Sequence, residues 1–212
     1  MQYYVSPSYT SDKLENPTFS DLVDVFEDIW RNYILAPAKL LLASPSGDIA
    51  SMTVLCSYFE AIAGTMAGAN TDKKSKDFFV QGFCEVFRTD SSGLEQAAEE
   101  VYKNIRCGLA HEGIIRHKVN YSRSAGKAFF LTYPKLGNGS LNIAGGAASI
   151  IVNPSHFYNG IEHHFNTYIK LLREATDSTL CDNFKKTVYR QWAIGSKHNV
   201  IGMTEDEFLG RT

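Results

Sequence analysis

The sequence predicts a mainly α protein: a helical bundle with a small antiparallel β insertion after its fourth helix. Two observations predict this fold class. Apolar side chains such as Leu22, Val25 and Ile29 recur at the spacing of an amphipathic helix, and similar stripes follow along the chain. The pattern then changes to the β-branched and aromatic run Ala128–Tyr133, beside the turn signal Gly137-Asn138-Gly139. Bundles hold ligands between their helices or at helix ends, where we expect the site.

The composition limits the classes of function. The 212 residues are 44% hydrophobic with a net charge of −2, so the chain can bury a large core but has no general basic coat for nucleic acid. The four cysteines form no C-x-x-C pair, which argues against a zinc knuckle and favours reduced thiols. The N-terminus lacks the features of a signal peptide and no apolar run suits a bilayer. We therefore expect a cytoplasmic protein without a membrane partner.

One domain is expected over residues 19–194, preceded by an arm at 1–18 and followed by a polar tail at 195–212. The β insertion is expected at about 126–152, closed by Asn153-Pro154 at the start of a later helix. Thr18 or Ser20 is expected to cap the first helix. The predicted helices are Phe19–Tyr33, Asp48–Met66, Ser75–Phe87, Leu94–Leu109, Ser155–Arg173 and Thr179–Trp192.

The fourth helix carries Arg106 and, five positions later, His111. On a straight α-helix these residues would point about 140° apart. Gly108 and Gly113 bracket the expected end of the helix, since glycine accepts the left-handed turn of a C-cap. We expect the helix to end or loosen near Gly108, which would return His111 to the side of Arg106. A fixed cation beside a titratable imidazole is the pair that phosphate-ester cleavage needs.

The segment Arg106-Cys-Gly-Leu-Ala-His111, at the end of a bundle helix, resembles the HEPN superfamily, whose mark is an arginine followed after four to six residues by a histidine. Glu112-Gly113 is similar to the family's helix exit, and the later start Asn153-Pro154…Phe157-Tyr158 is similar to bacterial members. The resemblance covers Phe19–Arg116 as the bundle and Ser155–Trp192 as further helices. Cys107 departs from the pattern, because active members more often carry Asn, Asp or His there and thiol hydrogen bonds are weak.

The resemblance implies a metal-independent endoribonuclease without a cofactor. The RNA 2′-OH would attack the adjacent phosphate and leave a cyclic phosphate and a 5′-OH. His111 would be the general base or acid, and Arg106 would bind the phosphate through paired hydrogen bonds. The resemblance further implies a homodimer in which two motifs face one cleft, a role in defence or toxin-type systems and a cognate antitoxin-type protein.

A basic segment follows the motif. Its side chains could follow RNA phosphates while the tyrosine stacks on a base, or they could form a solvated loop. Arg106 also has a simpler interpretation as a cation near a helix C-terminus, and His111 as a capping or partly buried imidazole. The residues of the segment that we single out for RNA binding are Arg116, His117, Lys118, Tyr121 and Arg123.

No metal site is predicted. Glu162-His163-His164 lacks the His-Glu-x-x-His spacing of a zinc helix. Glu60 and Glu85 lack the Glu-x-x-His pairs of di-iron bundles. The alternative hypothesis is a catalytically inactive helical module that binds a protein partner or a nucleotide. Cys107, the mildly acidic charge and the inserted strands favour it.

Overall fold

The computed structural model describes residues 4–88, 93–112 and 118–195, together with Glu207 and Gly210. It confirms the predicted fold class, a mainly α protein with a small β insertion. The strands are β1 (Val119–Tyr121), β2 (Phe129–Thr132) and β3 (Ser149–Val152). The α-helices are α1 (Phe19–Ile29), α2 (Ala36–Ala43), α3 (Asp48–Leu55), α4 (Ser57–Ala67), α5 (Ser75–Val86), α6 (Leu94–Val101), α7 (Pro154–Glu174) and α8 (Ser178–Gln191).

The first helix is fixed at its start by a capping box. Thr18 Oγ1 accepts the backbone N–H of Asp21 at 3.2 Å, and the Asp21 carboxylate accepts the backbone N–H of Thr18 at 2.9 Å. The arm before it is packed onto α1 instead of being loose. Buried Ser6 donates its hydroxyl to Asp28 at 2.6 Å, and Lys13 pairs with Asp21 at 2.9 Å. The predicted tail lies largely outside the described residues.

The path from α1 to α2 is a wide turn. Residues Trp30–Leu35 form a π-helix, and Pro37 follows in the first turn of α2. Proline lacks a backbone N–H and is tolerated in a first turn. The helical path therefore continues past Pro37, and the π-helical turns of Trp30–Leu35 join α1 to α2.

The core centres on α4 and α5. The ring of Phe59 lies 5.1 Å from that of Phe79 and 5.5 Å from that of Phe157 on α7, with edge-to-face geometry. A Cβ on Gly82 would lie 2.0 Å from the carbonyl oxygen of Phe59, so the two helices touch backbone to backbone. This close crossing fixes α4, and with it one wall of the candidate site.

Helices α3 and α4 are nearly continuous and strongly apolar. By length and by the mean hydropathy of its most apolar window (1.3), Asp48–Ala67 is long and apolar enough to cross a membrane, whereas the sequence analysis expects no such run. Within the described part of the chain it is the one such helix, and 56% of its most apolar window is buried inside the fold. The core helix of a globular protein has the same properties.

The sheet is mixed, with β3 in the centre and the order β1-β3-β2. Strand β2 is antiparallel to β3, with Phe130 opposite Ile151, whereas β1 is parallel to β3, with Val119 opposite Ile150. The insertion therefore begins before residue 126 and is not purely antiparallel. The segment Leu141–Ile143, after the turn Gly137-Asn138-Gly139, contributes no strand to this sheet. Asn142 Oδ1 accepts the N–H of Gly145 and stabilises a short 3-10 turn there.

Asn153 joins the sheet to α7, at the helix start predicted from sequence. Its Oδ1 accepts the backbone N–H groups of Ser155 and His156, which caps the helix. Its Nδ2 donates to the carbonyl oxygens of Arg123 and Ala125 in the loop after β1. One buried side chain thus ties three segments together.

Candidate functional site

The motif lies on a helix that widens beyond α6. Residues Tyr102–Arg106 and Gly108–Glu112 are π-helical, with the N–H of Cys107 bonded to the carbonyl of Tyr102. The sequence predicts that the helix ends or loosens near Gly108. In the structure it does not end there: it is widened on both sides of Gly108 and continues through Glu112. A π-turn joins residue i to residue i+5 and needs more residues per turn than an α-turn. His111 consequently lies nearer to the Arg106 side of the helix than α-helical geometry would allow.

Arg106 is half-buried and faces α4. Its Nη2 atom donates to Glu60 Oε2 at 3.3 Å, and its guanidinium lies 5.6 Å from the ring centre of Tyr102. Glu60 Oε2 also accepts the hydroxyl of Ser75 at the start of α5. A guanidinium has five N–H donors, and Glu60 is its hydrogen-bond partner within the described residues. Arg106 therefore keeps donors for an incoming anion.

Arg106 opens onto a cavity of about 420 Å³. The walls come from α4, the loop that follows it, the motif helix and the end of α8. Arg190 on α8 is exposed and donates to the carbonyl oxygen of Ala69 at 2.7 Å. The polar side chains that line the cavity are Thr53, Ser57, Glu60, Asn70, Thr71, Arg106, Arg190 and Gln191.

His111 is exposed and is not part of the cavity lining. Within the described residues, no hydrogen bond or ion pair joins it to Arg106. Cys107, between them in sequence, is partly buried. The structure thus places Arg106 and His111 on one widened helix end, with Arg106 directed to the cavity and His111 open to solvent.

Of the basic residues singled out after the motif, those that the structure describes make hydrogen bonds within the fold. Arg116 and His117 lie outside the described residues. Lys118 donates to the carbonyl of Ala147 at 2.8 Å. Arg123 bonds the Asp48 carboxylate at 2.7 Å and the carbonyl of Ser44 at 2.6 Å. The Arg123 contacts attach the loop after β1 to the start of α3.

Tyr121 is also turned inward. Its hydroxyl is buried without a partner in the described part of the chain, and burial raises the pKa of the phenol well above its usual value. The ring packs against the core. Tyr121 is therefore partly buried, with its hydroxyl enclosed by the fold.

The acidic and histidine residues considered for metals have other partners. Glu162 accepts the hydroxyl of Tyr158 at 2.7 Å, and His164 Nδ1 lies 2.8 Å from the hydroxyl of Tyr58. Glu85 pairs with Arg88 on α5. Among the residues with described positions, no group of three His, Cys, Asp or Glu side chains is arranged to hold a metal ion.

The cysteine beside the cavity is not a nucleophile. Burial raises the pKa of the Cys56 thiol to about 12, although the nearby charge of Arg106 acts in the opposite direction. A neutral buried thiol is a poor nucleophile at neutral pH. Cys56 therefore serves as a packed wall of the cavity.

Sequence reasoning missed Arg190, Gln191 and the loop residues Asn70 and Thr71. Arg190 reads as an ordinary polar position on an amphipathic helix, and only the packing of α8 against the loop after α4 brings it near Arg106. Asn183 of α8 contributes to that packing by donating to the carbonyl of Met66 at 2.9 Å. The long-range contact has no local sequence signal.

A second, larger groove of about 750 Å³ lies between α6 and β2. Apolar side chains such as Phe129, Phe130 and Leu131 dominate it.

Comparison with known proteins assigns neither cavity, because no family model, curated protein or solved structure matches the chain. The chemistry of the smaller cavity, with two arginines beside one carboxylate, suits an anionic ligand.

Proposed function

We propose that this chain is a HEPN-like, metal-independent endoribonuclease. The observation that carries the proposal is the widened end of the motif helix. Arg106 closes the first π-turn and His111 lies in the second, on a helix end that reaches solvent. Wide turns of this kind are rare and are frequent at functional sites. They support the proposal because they keep Arg106 and His111 on one helix end, with the guanidinium at the cavity and the imidazole open to solvent.

In the proposed reaction, Arg106 binds a non-bridging oxygen pair of the RNA phosphate. His111 takes the proton from the 2′-OH as that oxygen attacks phosphorus while water protonates the departing 5′-oxygen, or His111 protonates the 5′-oxygen while water takes the proton from the 2′-OH. The bond from phosphorus to the 5′-oxygen breaks, and a 2′,3′-cyclic phosphate and a 5′-OH remain. The charge developing on the phosphate oxygens is stabilised by the guanidinium.

The contact of Arg106 with Glu60 fits this role as a resting state. A single hydrogen bond of 3.3 Å to a partly exposed carboxylate restrains the guanidinium only weakly. A phosphate that offers two oxygens to the guanidinium would make shorter, paired bonds. Glu60 therefore orients Arg106 before the substrate arrives and competes only modestly with it.

We further propose three partners: RNA, a second copy of the chain and an antitoxin-type protein. The exposed positions Ala110 and His111 leave the helix end open to a two-fold related copy. A cytoplasmic location without a membrane partner belongs to the same proposal. Arg116, His117, Lys118, Tyr121 and Arg123 remain the RNA-binding residues predicted from sequence, although the described ones are held by contacts within the fold.

The test is RNA cleavage by purified protein in the presence of a chelator. Arg106→Ala and His111→Ala should each lower the cleavage rate by at least about 100-fold, the usual scale for loss of an acid–base or phosphate-binding group. Arg88→Ala and His163→Ala are matched controls, since both side chains are exposed and lie outside the cavity lining. Cleavage that persists in the Arg106 and His111 variants would refute the assignment.

A second candidate function is that of a catalytically inactive binding module. The specific observation in its favour is that the Arg106–Glu60 pair, with Ser75 bound to the same carboxylate, already gives Arg106 a structural role between helices. Under this alternative, native protein leaves RNA intact and Arg106→Ala chiefly lowers stability. Unfolding measurements on the same variants separate the two candidates.

A further inference from the structure

The polar lining of the 420 Å³ cavity extends well beyond the motif. We propose that this cavity binds one nucleotide unit, with its phosphate on Arg106 and Arg190 and its sugar or base hydroxyl and N–H groups on the α3–α4 wall. The ligand class is a nucleoside phosphate, either free or as one unit of an RNA strand. The site needs neither His111 nor cleavage, so it goes beyond the proposed function while sharing Arg106 with it.

Two guanidinium groups from separate helices line the cavity and are its anion-binding groups. Arg106 donates one hydrogen bond to Glu60 at 3.3 Å, and Arg190 donates one to the carbonyl oxygen of Ala69 at 2.7 Å. Each retains further N–H donors in the planar fork that matches a phosphate. The exposed loop residues Asp72, Lys73 and Lys74 follow the lining residue Thr71 and together add one net positive charge near the lining.

The α3–α4 wall of the cavity, which includes the Glu60 carboxylate beside Arg106, offers hydrogen-bond acceptors. The hydroxyl of Thr53 donates to the carbonyl of Ile49 at 2.9 Å, and that of Ser57 donates to the carbonyl of Val54 at 2.7 Å. Because these protons are committed to the backbone, both oxygens are left as acceptors. Glu60 adds a carboxylate to the same wall. A group rich in O–H and N–H donors, such as a ribose or a base, complements such a wall.

Charge and size limit the ligand to a single phosphate. The lining carries two cationic side chains and one carboxylate, which suits one phosphate and disfavours a polyphosphate beside Glu60. The volume of about 420 Å³ falls in the range of roughly 300–1,000 Å³ typical of small-molecule sites. These limits point to a nucleoside monophosphate unit over a nucleoside triphosphate.

The experiment is a calorimetric titration of the whole chain with adenosine 5′-monophosphate, adenosine, inorganic phosphate and a short single-stranded RNA. Adenosine 5′-monophosphate or the RNA should bind, and adenosine should bind at least about tenfold more weakly because it lacks the charged group. Binding of the RNA alone identifies the ligand as a unit of a strand, and binding of the monophosphate identifies a free nucleotide. Equal affinity for adenosine and its monophosphate would overturn the proposal.

Arg190→Gln should weaken binding of the nucleotide or RNA by about tenfold or more. Arg88→Gln should leave this binding unchanged, because Arg88 pairs with Glu85 outside the cavity lining. Arg190→Lys, which keeps the charge and loses the planar fork, serves if the glutamine variant is unstable. Unchanged binding in a folded Arg190 variant, or no binding of any probe, contradicts the inference. Arg190-dependent binding without RNA cleavage would refute the ribonuclease proposal alone, and cleavage without that binding would refute this one alone.

Discussion

Glu60 is the residue that controls the availability of Arg106. Glu60→Gln removes the negative charge beside the guanidinium but keeps an acceptor for the hydroxyl of Ser75. Phosphate affinity should therefore rise several-fold. The free energy of unfolding should fall by no more than about 1 kcal/mol, because the pair is partly exposed to solvent.

Phosphate titration and denaturant unfolding of the Glu60→Gln protein measure both effects. Glu85→Gln is the matched control, since Glu85 also pairs with an arginine but lies on α5 away from the cavity. Weaker phosphate binding in Glu60→Gln would mean that the carboxylate holds Arg106 in its binding geometry. The competition described here would then be wrong.

Thr18 and Asp21 make the start of α1 sensitive to acid. Hydrogen bonds from Thr18, followed by the contact with Lys13, lower the pKa of Asp21 from 3.8 to about 2. A carboxyl whose pKa is depressed by folding contributes stability above its unfolded pKa and loses it as the pH falls towards about 2.

Thr18→Ala should therefore lower the free energy of unfolding by about 1 kcal/mol at neutral pH, the usual effect of losing a helix cap. The difference from native protein should shrink as the pH falls below 4, because the carboxylate that completes the capping box becomes protonated. Denaturant unfolding at pH 7 and pH 3 measures it. A difference that stays constant with pH would show that Asp21 does not depend on the cap.

At the scale of elements, the crossing of α4 and α5 sets the position of the cavity wall. Gly82→Ala would put a Cβ 2.0 Å from the carbonyl oxygen of Phe59, which forces the helices apart. Overpacking of this kind costs typically about 1–3 kcal/mol, and we expect the upper end because the obstacle is backbone. Thermal unfolding measures the loss. Gly137→Ala is the control, with nothing within 4 Å of the added carbon, and equal stability of the two variants would contradict the close crossing.

The elements show what the sequence can and cannot predict. The six predicted helical segments and the caps at Thr18 and Asn153 follow from apolar spacing and local side-chain chemistry, and the structure has helices there. Helix α2 was not predicted, and the helix predicted over Asp48–Met66 is divided into α3 and α4. Strand β1 was missed because it has only three residues and its pairing partner is the distant β3. The π-turns of the motif helix also lack a residue signature, since Gly108 predicts loosening but not its geometry.

The same limit applies to the candidate site. Arg106 could be identified from its local motif, and Glu60 from its place on an otherwise apolar helix face. Arg190 and the carbonyl of Ala69 come together through packing of α8 on the loop after α4, which depends on the whole fold. Lys118 and Arg123 likewise make their hydrogen bonds to residues that are distant in the sequence, Ala147 and Asp48.

For the whole molecule, a buried tyrosine–histidine pair between α4 and α7 links stability to pH. Burial lowers the pKa of His164 below 6.5, and the charges of Arg88 and His163 act in the same direction against Glu85. Burial also keeps the Tyr58 hydroxyl protonated, so it can donate to neutral Nδ1. A histidine with a depressed pKa contributes its full stability above the unfolded value and loses it as the pH falls through that value.

Native protein should therefore lose stability between about pH 7 and pH 5 through this group. His164→Gln should flatten that part of the profile, whereas His156→Gln, at an exposed position that does not act on His164, should leave it in place. The measurement is the denaturant midpoint of all three proteins across this range. A profile in His164→Gln as steep as in native protein would contradict the assignment.

The central claim is that the widened helix end of Arg106 and His111 cleaves RNA through the 2′-hydroxyl without a metal. The most direct measurement is the fate of an RNA oligonucleotide, and of its 2′-deoxy counterpart, incubated with the protein and a chelator. The account predicts that only the RNA is cut, with 2′,3′-cyclic phosphate and 5′-OH ends. Intact RNA, equal cleavage of the deoxy strand or products with other ends would contradict it.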